Sequence, residues 1–248
     1  MLCTFIPEVE GFGALLQKLV WAILIVETSG NTFIYTPITK IEHNYNDDTE
    51  YIDMIENYIG LKAHYINKDH KSVLTPSAVY IPQVIHQIEA NINEYHSNDV
   101  FKRLKALFFS NKKTPYDTNS THIAVHIRRS NLHDNGIQRG DTPDIYYLSI
   151  MNTISSRRKN EKLTFHIYSQ GEETNFIKFL KLKNNNIDVR LHINEHVIET
   201  FNGLLFSDIL VLSKSSLSYI AAIFSNAEVH YIKFYHNPLS HWKVYSLG

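Results

Sequence analysis

The residues best suited to chemistry lie in one stretch, residues 121–131, which reads THIAVHIRRSN. Apolar residues alternate with other residues there, which predicts a buried β-strand over Ile123–Arg128. Residues two apart on a strand share a face, so His126 and Arg128 should point the same way, and Arg129 should point the other way or leave the strand. Ligands of open α/β sheets bind at the carboxyl edge, and the planar fork of an arginine holds two oxygen atoms at once. The stretch therefore predicts a phosphate site at a strand end.

The two arginines also have a purely structural interpretation. Each could form an ion pair with a carboxylate of a neighbouring helix and contact no ligand. Adjacent arginines at the end of a buried strand are costly unless an anion meets them. That cost favours the ligand interpretation for Arg128, while for Arg129 both interpretations stay open.

A second strand end carries Ser169-Gln170-Gly171, which follows an expected strand and precedes a helix. In a parallel sheet this turn would lie at the same carboxyl edge as the arginines. Alone, it is typical of an ordinary strand-to-helix turn. Beside the arginine stretch, Ser169 and Gln170 become candidate ligand-binding residues.

A third strand end, at 208–216, reads DILVLSKSS and precedes a segment whose apolar residues recur at helical spacing. Ser213, Ser215 and Ser216 therefore stand at a helix N-terminus, where unpaired N–H groups and the helix dipole attract anions. One serine is expected to be a simple N-cap, but three are more than a cap requires. The arginines and these serines should line one crevice and converge on a phosphate or diphosphate.

Strands alternate with helices through the second half of the chain, which predicts a parallel sheet with crossover helices. Such a sheet would bring the three strand ends to one edge. The strands are expected at 123–128, 163–168, 189–192, 209–212 and 229–232, and the helices at about 143–158, 172–183, 196–206 and 215–225.

The first half opens on an apolar run, Leu2–Ile6, a turn with Gly11 and Gly13, and a helix from Phe12 that is apolar nearly all round. Strand, glycine turn and buried helix begin many α/β units that bind nucleotides or sugars, although two glycines are a weak signal. Further elements are expected as a strand at 32–35, a helix at 47–59 and a mostly helical stretch from Thr75-Pro76 to 110 that breaks near 97–98.

The polar run 111–120 predicts a domain boundary, which gives domains 1–115 and 116–248. The chain has 248 residues, 44% of them hydrophobic and 20% charged, which is enough for a packed core. A net charge of −1 argues against a general nucleic-acid binder.

Cys3 is the only cysteine, so the sequence contains no intrachain disulfide and no cysteine-based zinc site. The 14 histidines are scattered without an HExxH motif, so most should be surface or core residues, and we expect no metal. The longest apolar run, Ala14–Val26, is shorter than the roughly 20 residues that span a bilayer. It also lacks the flanks of a signal peptide, so we expect a cytoplasmic protein without a membrane span in this chain.

The motifs HIRR, SQG and SKSSLSYIAA, in that order, resemble the fucosyltransferase superfamily, which includes the α1,2-, α1,6- and protein O-fucosyltransferases and relatives from algae and large viruses. EGFGALLQ, near the start, is similar to the glycine loop that opens the family's N-terminal domain, often written Gly-x-Gly-Asn-Gln. The match covers both halves of the chain. The HxRR and serine motifs are moderately specific, and the glycine loop is weak.

The resemblance implies a fold and a reaction. The fold class would be α/β of the GT-B type, with two Rossmann-like halves whose parallel sheets face each other across a cleft. The reaction would be an inverting, metal-independent transfer of a sugar, fucose by resemblance, from a nucleotide diphosphate sugar to a hydroxyl of a glycan or glycoprotein. No cofactor is implied beyond the GDP- or UDP-linked donor, which is a substrate.

The resemblance also implies roles for single residues. Arg128 matches the arginine that holds the β-phosphate, Arg129 its partner, and His126 the donor-site histidine. The chain departs from the family at Ser130-Asn131, where many members have Gly-Asp.

In the same way, Ser215 and Ser216 match residues near the diphosphate, and Gly11 and Gly13 match the loop that closes over the sugar. Here the chain departs from the family at Ala14-Leu15, where Asn-Gln is common. Both departures leave the donor open. The expected donor-binding set is Gly11, Gly13, His126, Arg128, Arg129, Ser169, Gln170, Ser213, Ser215 and Ser216.

The chemistry fits sugar transfer independently of the resemblance. The diphosphate leaving group gains negative charge, which a metal or fixed cations must stabilise. The chain offers HIRR for this, so Arg128 is expected to be catalytic, whereas Asn46-Asp47-Asp48 is more typical of a solvated helix start than of a metal site.

An inverting reaction also needs a base for the acceptor hydroxyl. Glu10, beside the glycine turn, is the favoured candidate, with Glu8, Asp144 and Glu172 as alternatives. A carboxylate beside a glycine turn can instead be a helix cap. For the acceptor we expect His43 and Asn44. Four aromatic residues could stack against a sugar but are equally suited to a hydrophobic core. They are Tyr35, Tyr45, Tyr235 and Trp242.

Two other interpretations compete with a fucosyltransferase-like enzyme. The same fold could use another donor such as UDP-xylose, or it could bind a glycan or nucleotide without turnover. Slow hydrolysis of the donor would separate an enzyme from a binding module. A sulfotransferase or kinase-like protein is a weaker alternative, because the sequence has no GxxxxGK[ST] loop.

Overall fold

A computed structural model describes residues 1–44, 48–65, 76–129 and 142–246 of the chain. The chain divides into two compact units, Met1–Lys113 and Thr114–Gly248. The polar run predicts the division two residues later, after residue 115. Each unit is built from helices and a parallel sheet, so the predicted α/β class with two parallel sheets is confirmed.

In its described residues, the first unit has short parallel strands β1 (Leu2–Thr4), β2 (Thr32–Ile34) and β3 (Ser77–Ala78), in the order β2-β1-β3. Its helices are α1 (Phe12–Thr28), α2 (Thr49–Ile59), α3 (Lys62–Tyr65), α4 (Ile81–Ala90), α5 (Ile92–Ser97) and α6 (Asp99–Phe109). Helix α1 is buried on nearly every face, as its apolar residues predict, and packs against α4 and α6.

The second unit contains a larger parallel sheet in the order β6-β5-β4-β7-β8-β9. The strands are β4 (Thr121–His126), β5 (Leu163–Ser169), β6 (Ile187–Ile193), β7 (Ile209–Val211), β8 (Glu228–Ile232) and β9 (Lys243–Tyr245). The helices are α7 (Asp144–Arg157), a 3₁₀ turn (Glu173–Phe176), α8 (Ile177–Leu180), α9 (Val197–Phe206) and α10 (Ser216–Phe224).

Numbered from β4, the strands of this sheet follow the order 3-2-1-4-5-6, which is the order of dinucleotide-binding sheets. The order reverses between β4 and β7. In such sheets, ligands bind outside the carboxyl ends of the strands at this reversal. The residues that follow β4 and β7 therefore stand where a sheet of this order binds its ligand.

The alternation along β4 separates two environments. Ile123, Val125 and Ile127 belong to a core that includes the inward side chains of α7, such as Tyr147 and Ile150. On the other face, α9 packs against β4. The alternate residues of β4 on that face include two buried histidines.

The structure corrects several predicted boundaries. Residues 77–78 form β3 where the sequence predicts the start of a helix at Thr75-Pro76, and α4 begins at Ile81, with Pro82 in its first turn. Thr75 itself lies outside the described residues. The helix predicted over 172–183 is a 3₁₀ turn followed by one turn of α-helix, and β9 has no counterpart in the sequence prediction. Strands of two or three residues are too short to show periodicity.

Within the described ranges, no helix combines the length and apolar character needed to cross a membrane. In the same part of the chain, no three His, Cys, Asp or Glu side chains are grouped so that they could hold a metal ion.

Candidate functional site

Two predicted motifs meet where the sheet order reverses. Strands β4 and β7 are parallel neighbours. Just beyond their paired residues, Ser213 Oγ lies 2.8 Å from His126 Nδ1, and both residues are buried. The structure thus joins His126 of the HIRR motif to Ser213 of the serine motif.

The imidazole of His126 is neutral at physiological pH. Burial, together with the positive charge of Arg128, lowers the pKa of His126 to about 3. A neutral imidazole donates from one nitrogen and accepts at the other. The positive charge at this strand end therefore belongs to the arginines, and His126 contributes only a hydrogen-bonding group.

Arg128 follows β4, which ends at His126 and not at Arg128 as the sequence predicts. The N–H of Ile127 still donates to the carbonyl of Tyr168 at 2.9 Å, so the segment stays beside β5 for one further residue. Arg128 is half-buried, and its positive charge helps to lower the pKa of His126. It therefore stands at the carboxyl edge of the sheet, immediately beyond the reversal.

Ser169 and Gln170 hold the arginine segment in place. Ser169 Oγ donates to the carbonyl of Ile127 at 2.7 Å, and Gln170 Nε2 donates to the carbonyl of Arg129 at 2.9 Å. Gly171 adopts φ +109°, a conformation that favours glycine. These contacts fit the ordinary-turn interpretation and give both side chains a positioning role, because each one fixes a backbone carbonyl next to Arg128.

Arg129 forms the ion pair that the structural interpretation expects. Its guanidinium pairs with the carboxylate of Asp144, at the start of α7, and donates to the carbonyl of Thr142 at 3.2 Å. The same guanidinium lies 5.8 Å from the ring centre of Phe176. Asp144 also pairs with Lys178, so this alternative base candidate is held by two cations.

The serines at the start of α10 have different partners. Ser215 is the N-cap, and its Oγ accepts from the N–H of Leu217 at 3.2 Å, as expected for one of the three. Ser216 Oγ lies 3.1 Å from the hydroxyl of Tyr235 and 3.5 Å from Nε2 of His236. The segment after β8 therefore joins the site through aromatic residues that the serine motif alone does not reveal.

In the first unit, Glu10 is paired with a cation. Its carboxylate contacts the ammonium of Lys18 on α1, which also lies 3.3 Å from the carboxylate of Glu8. The side chain of Glu10 is 27% exposed, whereas that of Glu8 is 72% exposed. Two of the four predicted base candidates thus share one lysine.

Helix α1 begins at Phe12, as the apolar spacing predicts, so the glycine turn ends before Gly13. Gly11 is the N-cap of α1 with extended backbone, and Gly13 is a buried residue inside the helix instead of part of a loop. A Cβ atom at Gly11 would lie 3.6 Å from Oε2 of Glu42 and 3.9 Å from Nε2 of His43. His43 has φ +67°, a conformation uncommon for residues with a side chain.

The remaining acceptor candidates differ in their surroundings. Asn44 exchanges hydrogen bonds with the backbone of Asp48, at 2.8 and 3.0 Å. Tyr35 and Trp242 are core residues, each 5% exposed, whereas Tyr235 is 56% exposed. Outside the described residues lie Tyr45, Asn46, Asp47, Ser130 and Asn131. Glu172, the last base candidate, directly precedes the 3₁₀ turn and is exposed.

The opposite, amino edge of the second sheet carries a separate charged cavity of about 330 Å³. The carboxylate of Glu228 is contacted there by Arg158, Lys243 and His230. Burial alone would raise the pKa of Glu228, but the hydrogen bonds from Lys243 and His230 hold it at about 2. These paired charges, together with Arg157, line a cavity at the edge opposite to Arg128.

Comparisons with known proteins give fold-level similarities only. No protein-family model matches the chain, and no curated protein matches it. Similar solved structures include the NodZ α1,6-fucosyltransferase co-crystallised with GDP, with TM-score 0.40 and 8% identity over 90% of this chain and 92% of that one. Heptosyltransferase WaaC of E. coli with ADP-2-deoxy-2-fluoro heptose gives TM-score 0.46 and 10% identity over 98% and 92%. NodZ from Bradyrhizobium gives TM-score 0.39 and 9% identity over 90% and 93%. At TM-scores below 0.5, these similarities do not place the chain in a family.

Proposed function

We propose that this chain is a glycosyltransferase that moves a sugar from a nucleotide diphosphate sugar to a hydroxyl of a glycan. The observation that carries the proposal is the position of Arg128. It follows β4 at the reversal of a 3-2-1-4-5-6 sheet, where nucleotide phosphates bind in sheets of this order.

Two further features support a diphosphate at this position. The N-terminus of α10 follows β7, so its first-turn N–H groups and its dipole lie at the same edge as Arg128. Ser213 and neutral His126 join the two strand ends by a hydrogen bond and add no negative charge there. An anion that arrives here meets donors from both strands.

In the proposed reaction, the acceptor hydroxyl oxygen attacks the anomeric carbon of the donor while the bond from that carbon to the diphosphate breaks. The diphosphate leaves with the electron pair, and Arg128 stabilises its growing negative charge without a metal. The hydroxyl proton passes to the carboxylate of Glu10, acting as general base. Attack opposite to the leaving group inverts the configuration at the anomeric carbon.

The proposed donor rests on the resemblance, and the proposed acceptor contacts rest on two residues of the first unit. The resemblance to fucosyltransferases favours GDP-fucose, and UDP-xylose is the alternative donor. For the acceptor, His43 and Asn44 are the proposed contacts. We also propose that Ser215, Ser216, Ser169, Gln170 and Gly11, the N-cap of α1, contribute to the donor site.

A specific observation supports a second candidate function, a domain that binds a nucleotide or glycan without turnover. Glu10 is paired with Lys18 through one carboxylate oxygen, which leaves its other oxygen to accept a proton from an acceptor. If that oxygen does not meet an acceptor hydroxyl, binding at Arg128 would persist without sugar transfer.

Donor turnover separates the two candidates. The native chain, Arg128→Ala and Glu10→Gln would each be incubated with GDP-fucose or UDP-xylose without added metal, and the released nucleotide would be measured by chromatography. An enzyme releases nucleotide slowly even to water, and either substitution should lower that release at least tenfold. Intact donor that nevertheless binds the native chain would show a binding module, and donor that neither binds nor breaks down would refute the proposal.

A further inference from the structure

The loop after β8 presents an aromatic ring to solvent beside the start of α10. Tyr235 is 56% exposed, more than any other Phe, Tyr or Trp among the described residues of the second unit. Single exposed aromatic residues are common on protein surfaces, so exposure alone assigns no role. Tyr235 is distinguished by its position, because its hydroxyl lies 3.1 Å from Oγ of Ser216, the first residue of α10.

Two fully buried tyrosines hold the backbone on either side of Tyr235. The hydroxyl of Tyr231 donates to the carbonyl of His236 and accepts from the N–H of Phe234 at 3.3 Å. The hydroxyl of Tyr219 donates to the carbonyl of the residue after His236, at 2.7 Å. The loop is therefore tied to buried side chains of β8 and α10, and Tyr235 has a defined place on it.

The side chain of Tyr235 is braced as well as its backbone. The ring centres of Phe234 and His236 lie 4.7 and 4.3 Å from that of Tyr235, and their planes are inclined to it by 69° and 56°. His236 in turn stacks on Tyr219, with ring centres 4.4 Å apart. Because the ring is already positioned, little conformational freedom would be lost when a planar ligand covers its exposed part.

The loop lies along the edge of the sheet that carries Arg128. Strand β8 pairs with β7 on the side away from β4, so the loop that follows it reaches the same carboxyl edge. A diphosphate between Arg128 and the start of α10 leaves its nucleoside to extend along this edge. Toward β5, the edge carries the 169–171 turn and the ion pair of Arg129 with Asp144. Toward β8, it carries the exposed ring of Tyr235.

An aromatic ring in this position suits the base of a nucleotide better than its sugar or phosphates. Every nucleobase has a flat π-face that stacks on aromatic side chains, whereas phosphates need charged or hydrogen-bonding groups. We propose that Tyr235 is a binding residue that stacks on the nucleobase of the donor, while Ser216 holds its hydroxyl. The inference rests on the proposed function, since the diphosphate beside Arg128 sets where the base lies. Stacking tolerates any base, so Tyr235 contributes affinity without choosing between guanine and uracil.

Removal of the ring and removal of the base are matched perturbations. Calorimetric titration would compare the nucleotide that the native chain binds, GDP or UDP, with ribose 5-diphosphate, which has the same ribose and diphosphate but no base. Tyr235→Ala should weaken nucleotide binding about tenfold, the effect of one stacked base, and leave the binding of ribose 5-diphosphate unchanged. Tyr235→Phe keeps the ring, so it should bind the nucleotide nearly as tightly as the native chain. Arg128→Ala should weaken the binding of both ligands.

The matched control is Tyr80→Ala, which removes a 70% exposed ring from the first unit and should leave both affinities unchanged. If Tyr235→Ala binds the nucleotide as tightly as the native chain while Arg128→Ala binds it more weakly, the stacking proposal fails and the phosphate site stands. Equal losses in Tyr235→Phe and Tyr235→Ala would also overturn the proposal, because the hydroxyl and not the ring would then carry the effect. A native chain that binds neither the nucleotide nor ribose 5-diphosphate would refute the proposed function and this inference together.

Aromatic NMR signals of the native chain test the contact without relying on how a variant folds. With ¹³C-labelled tyrosine, the ring signals of Tyr235 are identified by their loss in Tyr235→Phe. A base stacked on the ring should move these signals upfield when the nucleotide binds, and ribose 5-diphosphate should leave them in place. Tyr235 signals that do not move under saturating nucleotide, or that move equally with both ligands, would overturn the proposal.

Discussion

His126 should make the free energy of unfolding fall as the pH falls below about 6.5. In the folded chain, burial and the nearby Arg128 lower the pKa of this imidazole to about 3, whereas an unfolded histidine titrates near 6.5. Between these values the unfolded chain binds more protons than the folded chain. Stability from neutral His126 is therefore fully present above about pH 6.5 and is lost as the pH falls toward 3.

The size of the effect follows from the difference between the two pKa values. One buried histidine changes the free energy of unfolding by at most about 1.4 kcal/mol per pH unit. From pH 6.5 to pH 5 this amounts to roughly 2 kcal/mol, a large part of the stability of an ordinary domain. His166, whose pKa is also lowered to about 3, should add a similar slope.

Urea unfolding at pH 7, 6 and 5 would measure the slope in the native chain, His126→Asn and His86→Asn. His126→Asn should lose stability at pH 7, because its packing and its bond to Ser213 change, but between pH 7 and pH 5 its slope should be shallower by about 1 kcal/mol per pH unit. His86 is exposed on α4, so its substitution should leave the slope unchanged. A native slope retained in His126→Asn would refute the neutral, buried state assigned to His126.

Two further predictions concern packing and a buried carboxylate. Gly203→Ala should lower the free energy of unfolding by about 1–3 kcal/mol, although alanine favours helices, because its Cβ would lie 2.0 Å from the hydroxyl oxygen of Tyr168. Urea unfolding checks this, and an unchanged or higher stability would contradict it. Glu56→Ala should cost about 3–5 kcal/mol, since buried Glu56 accepts from the hydroxyl of Tyr35 at 3.0 Å and from the N–H of Ile38 at 2.5 Å. Thermal unfolding of Glu56→Ala and Glu56→Gln tests that role. Glu56→Gln retains an acceptor and should therefore lose less stability. Equal losses of stability in both variants would argue against the role.

Local patterns were sufficient to predict much of the fold. The apolar alternation at 123–127 predicts β4, and the apolar faces of residues 12–26 predict a buried α1, because both signals repeat within one element. The end of β4 was wrong by two residues. The segment after His126 is fixed by Ser169 and Gln170, more than forty residues away, and no local pattern reports such contacts.

The arrangement of the site depended still more on distant contacts. The sequence predicts that the HIRR and serine motifs share one edge, but the reversal between β4 and β7 is a property of strand order. The sequence prediction missed the hydrogen bonds that join His122, His166 and His192, because these residues lie 44 and 26 positions apart and become neighbours only through strand register. Conversely, Tyr35 and Trp242 have the composition of sugar platforms and are core residues, because burial is decided by packing.

Calorimetric titration of the full chain with GDP and with UDP, without added metal, tests the central claim most directly. The native chain should bind one of the two, and Arg128→Ala should bind it about 10- to 100-fold more weakly, as expected for the loss of charge-assisted bonds to phosphate. Arg157→Ala, at the opposite edge of the same sheet, should bind like the native chain. Binding that Arg128→Ala leaves unchanged, or a native chain that binds neither nucleotide, would contradict a phosphate site at the end of β4.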